Sequence, residues 1–212
     1  MEPHVVEKYK SYEGAASFNT KYEREWHKRV NTRREVKVIR ECFRIAGEQD
    51  TILDLPSGTG RLFGAYRPFG KRFLGMDISH EMLKFARQNV AEWQGRLAAA
   101  SAFEMPLKDR AVDCFFSARL FHHVPDRQER HRYIREMCRV SRKWVIFTFF
   151  HTYSLKNFLR VLRRPFNRKK PKVTMTTAEL REVASGAGWE VVTTLPLSRL
   201  FSGHHYAVLR RC

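Results

Sequence analysis

The sequence predicts a single doubly wound α/β domain built around a mainly parallel sheet. Its length of 212 residues suffices for one sizeable core and falls short of two ordinary domains. From residue 50 onward, short runs of β-branched and aromatic residues alternate with helical patterns. Such alternation is typical of parallel strands covered by helices on both faces. We therefore expect an amino-terminal helical cap segment at residues 1–49 and the α/β domain at residues 50–212.

The apolar runs predict the strands. They are Thr51–Leu55, Arg72–Met76, Leu97–Ser101, Ala111–Ser117, Lys143–Phe149, Trp189–Leu195 and His204–Arg210. The third run is the weakest, and the fifth is the strongest because it joins Trp, Val, Ile and Phe in sequence. The last two runs are connected without a helical pattern, so we expect them to form a terminal antiparallel hairpin.

Apolar residues at helical spacing predict the helices. They are Arg33–Ala46, Ser79–Val90, Arg127–Val140 and Thr177–Ala187. In the first, Ile39, Cys42 and Phe43 recur on one stripe, as in a helix that packs on a core. The second begins with Ser79, whose hydroxyl is suited to cap its first turn.

The charge is the unusual feature of the composition. The formal net charge is +18 and the isoelectric point is about 10.2, far beyond what solubility requires. Such a surface attracts anions, which include nucleic acid, an anionic membrane face and an acidic substrate. The charge alone does not choose among these partners.

Two absences narrow the class of protein. No apolar run approaches the roughly 20 residues that span a bilayer, and Met1–Lys10 lacks the apolar stretch of a secretory signal. We therefore expect a cytoplasmic protein that can lie peripherally on the inner face of a membrane.

The cysteines form no CxxC pair, so neither a metal site nor a redox pair is predicted. They are Cys42, Cys114, Cys138 and Cys212.

The sharpest local signal is a glycine-rich turn directly after the first strand. Asp54 closes the strand, and Pro56, Gly58 and Gly60 lie in the turn. Glycines let a ligand approach the backbone closely, and the N–H groups of such a turn are available to bind it. The spacing lacks the GxGxxG pattern and no second nucleotide-binding half follows, which disfavours a dinucleotide-dependent dehydrogenase.

A second acidic residue follows at the tip of the next strand. Asp77 lies about 20 residues beyond the glycine turn, where a carboxylate accepts hydrogen bonds from a ribose. The competing interpretation is that Asp77 only caps the helix that begins at Ser79.

Four blocks in this order resemble the class I S-adenosylmethionine-dependent methyltransferases. Within that class the chain is most similar to the branch of ubiquinone and menaquinone methyltransferases and many small-molecule methyltransferases. The blocks are LDLPSGTG, LGMDIS with EML after it, SAFEMPLKDRAVDCFFSARLFHHVPD and TTAELREVASGAGWEVV. The resemblance covers residues 50–210. It implies a Rossmann-like, seven-stranded sheet in the order 3-2-1-4-5-7-6 with an antiparallel last strand, and S-adenosylmethionine (SAM) as the cofactor.

The resemblance assigns cofactor contacts by position. Those implied for the methionine part of SAM are Asp54 and the loop containing Pro56, Gly58 and Gly60. Asp77 is implied to bind the ribose hydroxyls and Ile78 to lie against the adenine. Ala102 and Phe103 are implied to line the other side of the adenine, and Ser117 to lie near the methyl donor.

Two positions depart from the family's usual pattern. The family usually has glycine where this chain has Pro56, and proline fixes φ near −65° and removes an N–H donor. It usually has aspartate where this chain has Ser101, so the adenine amino group loses a carboxylate partner. Both departures concern cofactor affinity rather than the fold.

The loop after the fourth strand carries the candidate catalytic residues. Chemistry in such folds takes place beyond the carboxyl ends of the strands, and His122 and His123 lie there. Imidazole titrates near neutral pH, so either histidine is a candidate general base. The same stretch occurs in related families with different acceptors, which favours a structural role instead. The Asn/Asp-Pro-Pro-aromatic motif of amino-group nucleic-acid methyltransferases is missing, which favours an oxygen or carbon acceptor.

A basic insertion at residues 151–176 follows the fifth strand. Acidic residues are absent from Met137 to Ala178, whereas Lys156–Lys172 is rich in Lys and Arg. Leu155, Phe158, Leu159 and Leu162 have helical spacing. Such a helix packs on the domain as a substrate lid, lies on an anionic membrane surface, or presents its basic face to nucleic acid. The sequence leaves these three interpretations open.

The sequence thus predicts methyl transfer from SAM to a small-molecule or lipid-linked acceptor that is anionic or membrane-presented. O- or C-methylation is favoured. An RNA methyltransferase is the alternative that the net charge supports. A cofactor-binding, non-catalytic partner subunit is a further alternative, motivated by Pro56 and Ser101.

Overall fold

A computed structural model describes most of the chain. The described residues are 13–14, 16–17, 26–93, 95–154, 157–159, 173–198 and 202–212. The helices are α1 (Trp26–Ala46), α2 (Phe63–Tyr66), α3 (His80–Asn89), α4 (Arg127–Val140) and α5 (Thr177–Gly186). The strands are β1 (Gln49–Asp54), β2 (Gly70–Asp77), β3 (Leu97–Ala99), β4 (Val112–Ser117), β5 (Ser141–Phe150), β6 (Trp189–Pro196) and β7 (His204–Arg211).

The strands form one seven-stranded sheet in the order β3-β2-β1-β4-β5-β7-β6. Neighbouring strands from β3 to β5 are parallel, whereas β7 is antiparallel to both β5 and β6. The predicted doubly wound fold, the strand order and the terminal antiparallel hairpin are therefore confirmed. The order changes direction beside β1 and β4, and ligands of open α/β sheets bind in the crevice at that point.

Helices cover both faces of the sheet. On one face α1 buries Ile39, Cys42 and Phe43 completely, in a core shared with α2 and α3. On the other face α4 and α5 pack over a second core that includes Met137 and Leu180. The predicted helical stripes are the buried ones, because each helix needs an apolar stripe to lie against a sheet.

The predicted cap at Ser79 is confirmed, and Thr176 caps α5 in the same way. Ser79 accepts a hydrogen bond from the N–H of Met82 at 3.2 Å, and Thr176 accepts one from Glu179 at 3.0 Å. The differences lie at boundaries and in short elements. Strand β3 ends two residues earlier than predicted because its small residues lie exposed at the sheet edge, and α1 begins seven residues before Arg33. The short helix α2 carries too few residues to show a periodic pattern.

Helix α1 is fixed to the sheet by one buried carboxylate. Glu35 is 1% exposed, and its two oxygens accept hydrogen bonds from the forked guanidinium of Arg119, both at 2.9 Å. Arg61 donates to the same carboxylate at 3.1 Å, and the Tyr206 hydroxyl donates at 3.0 Å. Burial alone would raise the pKa of Glu35, but Arg119 and Arg61 outweigh it and hold that pKa below its usual value. One side chain thus joins α1 to β7 and to the loops that follow β1 and β4.

Replacing Glu35 with Ala should destabilise the fold by about 3 kcal/mol, because two guanidinium groups lose their shared partner in a largely buried site. Both arginines keep some access to water, so the cost lies at the lower end for a broken buried pair. Chemical denaturation measures it. The control is Glu41→Ala on the same helix, where the pair with Arg44 is exposed and the expected cost is about 0.5 kcal/mol or less. Equal costs for the two variants would show that Glu35 does not anchor α1.

Candidate active site

The glycine-rich turn lies where β1 ends, and its shape depends on two left-handed residues. Gly58 has φ +54° and Gly60 has φ +79°. A Cβ atom on Gly60 would lie 2.6 Å from Cγ2 of Val90, whereas a Cβ on Gly58 would meet nothing within 4 Å. The side-chain amide of Asn89 donates to the Thr59 carbonyl at 2.9 Å. The turn is therefore packed on one side and open at Gly58.

Asp77 connects this turn to the start of α3. One carboxylate oxygen accepts from the N–H of Gly58 and the other from the N–H of Ser79, both at 2.9 Å. The cap of α3 is the hydroxyl of Ser79, so Asp77 is not the capping residue of that helix. Burial raises the pKa of Asp77 to about 6, although the backbone N–H bonds oppose that rise.

Asp54 lies beside the same turn and is only partly satisfied. The Tyr66 hydroxyl donates to one oxygen at 2.7 Å, while the second oxygen is buried without a hydrogen-bond partner. The buried hydroxyls of Ser57 and Thr59 also lack partners. Burial raises the pKa of Asp54 to about 8, and the nearby charge of Asp77 adds to the rise. Buried polar atoms are nearly always paired in proteins, so this group is suited to a polar ligand.

The proline in the turn is accommodated without a lost contact on either side. The bond between Leu55 and Pro56 is cis. The N–H of Leu55 donates to Phe116 at 3.1 Å, and the N–H of Ser57 donates to Met76 at 2.7 Å. Pro56 has no backbone N–H, but the hydrogen bonds that tie its two neighbours to the adjacent strands are both made.

The residues predicted to enclose an adenine differ in exposure. Ile78 is exposed at the tip of β2, whereas Ala102 is buried and Phe103 is half-buried. The Ser101 hydroxyl accepts from the N–H of Phe103 at 3.2 Å. Ser101 therefore shapes this turn, at the position where the family usually has aspartate.

Ser117, at the end of β4, is paired with a residue on the buried stripe of α4. Its hydroxyl lies 2.5 Å from the hydroxyl of Tyr133, which also donates to the Leu55 carbonyl at 3.5 Å. Burial raises the pKa of Tyr133 well above its ordinary value. Tyr133 had the spacing of a buried helical stripe, and no local signal marked its hydroxyl as part of the site.

His122 and His123 lie in a short 3₁₀ turn, Phe121–His123, beyond the end of β4. Their ring centroids are 4.1 Å apart. The His122 ring also lies 5.1 Å from Phe150 and 5.4 Å from His204. Sequence reasoning missed the last two because only strand pairing brings β5 and β7 to this edge.

The basic insertion lies largely outside the described residues. Within it Asn157–Leu159 is helical, as predicted, and Phe158 donates its N–H to the Ser154 carbonyl at 3.0 Å. The lysines and arginines of Lys156–Lys172 are not among the described residues. In the described ranges, no three His, Cys, Asp or Glu side chains are grouped to hold a metal ion, and no helix is long and apolar enough to cross a membrane.

The part of the chain that forms the site matches a known protein family. Residues 53–149 match the family described as methyltransferase domain. This range contains the glycine turn, Asp77 and the histidine loop. No curated protein sequence matches the chain.

Three solved structures show the same fold at low sequence identity. The magnesium protoporphyrin IX methyltransferase of Synechocystis, with bound SAH, has a TM-score of 0.80 and 15% identity, over 100% of both chains. A methyltransferase of Haloferax volcanii, in complex with the Trm112 activator, has a TM-score of 0.66 and 19% identity over 94% of this chain and 96% of that one. A possible histamine N-methyltransferase of Thermotoga maritima has a TM-score of 0.63 and 21% identity over 92% and 97%.

Residues 53–149 therefore have the sequence pattern of a methyltransferase domain, and the fold is that of solved methyltransferases. The cofactor that the sequence predicts is SAM. The site's chemistry fits that group. The unpaired oxygen of Asp54 and the hydroxyls of Ser57 and Thr59 suit the ammonium of a methionine moiety. The apolar surface of Ile78 suits an adenine ring.

Substitutions at the two turn glycines should separate backbone strain from packing. Alanine at either position costs about 1–2 kcal/mol in a left-handed conformation, and at Gly60 it adds roughly 1–3 kcal/mol of overpacking against Val90. Gly60→Ala should therefore lower the thermal midpoint more than Gly58→Ala. Equal shifts in calorimetry would contradict the packing described for Gly60.

Affinity for SAM should fall as the pH is lowered. SAM is cationic and favours ionised carboxylates, whereas Asp54 takes up a proton as the pH falls through about 8 and Asp77 as it falls through about 6. Below each value, binding must expel a proton, which costs up to about tenfold in affinity per pH unit. Titrations from pH 5.5 to 9 test this, and Asp54→Asn should remove the upper step while keeping the lower one. An affinity independent of pH would contradict the buried, ionisable environment of both carboxyls.

Proposed function

We propose that this methyltransferase acts on a small-molecule or lipid-linked acceptor that is anionic and presented at a membrane surface, by O- or C-methylation. One observation carries the proposal. Tyr153, Phe158 and Leu159 follow β5 and are 81%, 64% and 39% exposed. They begin the insertion that contains many cations and no acidic residue.

Exposed apolar side chains beside a basic segment are typical of a surface that lies in a lipid interface. The lid interpretation requires the apolar stripe to pack on the domain. Phe158 and Leu159 belong to that stripe and remain exposed. Their exposure supports membrane contact over packing.

The cofactor would be held by residues at or just after the ends of β1, β2, β3 and β4. We assign the methionine moiety to Asp54 and the loop of Pro56, Gly58 and Gly60, and the ribose hydroxyls to Asp77. The adenine would lie between Ile78 on one side and Ala102 and Phe103 on the other, with Ser117 near the methyl group. When bound, SAM supplies an electrophilic methyl group on its sulfonium.

The chain's own residues would orient the acceptor and take its proton. His122 and His123 lie partly exposed at the edge where β4 ends, within the region where such folds bind their substrates. We propose that one of them accepts the proton that an acceptor hydroxyl loses. The sulfonium methyl is already reactive, so positioning supplies much of the remaining rate enhancement.

The solved relatives agree with a small acceptor. The Synechocystis relative is named for magnesium protoporphyrin IX, a small molecule. A second candidate is suggested by the Haloferax relative, which was solved with the Trm112 activator. With Pro56 and Ser101 at two cofactor-loop positions, a chain that needs a partner protein for activity is that second candidate.

Replacing Arg160, Arg163, Arg164 and Lys169 with Gln should weaken binding to vesicles that contain phosphatidylglycerol. Each cation near an anionic surface contributes about 1 kcal/mol, so the combined loss should exceed roughly a hundredfold. Vesicle co-sedimentation measures it, with neutral phosphatidylcholine vesicles as the reference.

The matched control replaces four exposed arginines elsewhere on the domain with Gln. These are Arg72, Arg87, Arg96 and Arg181. The control variant should keep most of its vesicle affinity. Vesicle binding that is equal in both variants, or binding to bulk tRNA in place of vesicles, would contradict the membrane-presented acceptor.

A further inference from the structure

We propose that His204 is an acceptor-binding residue, and that with His122 and Phe150 it forms a ring-lined wall selective for a flat aromatic acceptor without an ammonium group. The inference rests on the proposed function and specifies the acceptor class at that same site. Neither the sequence pattern nor the matched family region, which ends at residue 149, points to His204.

The wall lies at the end of a regular series of cross-strand pairs between β5 and β7. Residues two apart on a strand share one face of the sheet. Ile146 pairs with Val208, and both are buried in the core beneath α1. On this face, towards the carboxyl end of β5, the next two pairs are no longer aliphatic.

The second pair is polar and belongs to the anchor of α1. Thr148 pairs with Tyr206. The Thr148 hydroxyl accepts from the N–H of Arg119 at 2.6 Å, and the Tyr206 hydroxyl donates to Glu35 at 3.0 Å. This pair marks the boundary between the core and the site. Thr148 binds the loop after β4 directly, and Tyr206 reaches the loops after β1 and β4 through Glu35.

The third pair is Phe150 with His204, and it forms the wall. Their ring centroids are 4.0 Å apart, and His122 lies 5.1 Å from Phe150 and 5.4 Å from His204. Both imidazoles are partly exposed. Gly203 lets the backbone pass close to Phe150, because a Cβ atom at this position would lie 3.3 Å from the Phe150 ring. A contiguous surface of rings therefore reaches solvent beside the histidine turn.

The chemistry of the wall suits another ring. Aromatic rings attract one another in offset or edge-on arrangements at centroid distances of about 4.5–7 Å. Although His123 also touches His122, no metal-binding group of three side chains exists among the described residues. The imidazoles pack through their faces and edges, which is an arrangement for stacking rather than for coordination.

The charge of this edge disfavours a cationic acceptor. Residues 117–125, 147–154 and 202–207 form it, and they contain no Asp or Glu. The carboxylate of Glu35 is nearby, but it is already shared by Arg61 and Arg119. These segments therefore offer an ammonium group no counter-charge, and a desolvated cation without a partner is costly.

Three simple probes test the proposal on the SAH complex. They are benzoate, cyclohexanecarboxylate and benzylamine, which separate ring shape from charge. Benzoate should bind roughly three- to tenfold more tightly than cyclohexanecarboxylate, the range expected from ring stacking, and benzylamine should bind most weakly. Shifts of the histidine ring protons in NMR report binding independently of activity.

Two variants place the effect on the wall. His204→Ala should lose the preference for benzoate and leave SAH affinity unchanged, and Phe150→Leu should do the same if the first variant does not fold. The control is His80→Ala, an exposed histidine on α3 that should alter neither measurement. Equal binding of the two carboxylates, no binding of benzoate, or a preference that survives in the variants would overturn the inference. A wild-type chain that fails to bind SAH overturns the proposed function instead.

Discussion

The buried carboxylate of Glu35 is the contact on which the arrangement of the site depends. It lies on α1, yet its partners Arg61 and Arg119 belong to the loops after β1 and β4, which flank the crevice of the sheet. Arg119 itself has φ +65°, an uncommon conformation for a residue with a side chain. The ion pairs with Glu35 and the hydrogen bond to Thr148 hold it there. The helix that precedes the sheet therefore fixes the geometry of loops far away in sequence.

A second constraint is the pair of buried carboxyls beside the glycine turn. Asp77 satisfies its oxygens with backbone N–H groups, whereas Asp54 keeps one oxygen buried and unpaired. Burial raises the pKa values of both. A cationic cofactor would relieve that unfavourable environment, which explains why a stable fold retains it. Perturbed carboxyls of this kind cluster at functional sites.

The fold was predictable from the sequence because local patterns define it. The alternation of strands and helices, the cap at Ser79 and the turn after Asp54 each depend on neighbouring residues. The rest of the site was not predictable, because Glu35, Tyr133 and His204 are brought in by tertiary packing. Tyr133 has the spacing of a core residue, so no local signal marked its hydroxyl. Glu35 lies on the buried stripe of α1, but it belongs to a charged residue type that is seldom buried, so its ion pairs were not expected. The assignments of the cofactor-binding residues and of the two loop histidines all remain predictions.

Binding of the cofactor is tested most directly by a calorimetric titration of the chain alone with SAM and with SAH at pH 8. We expect both to bind with micromolar affinity, and Asp77→Ala to weaken both without unfolding the protein. Absence of binding by either molecule would contradict the claim that the crevice beside β1, β2 and β4 holds the cofactor unaided. That result would favour the alternative in which a partner protein completes the site.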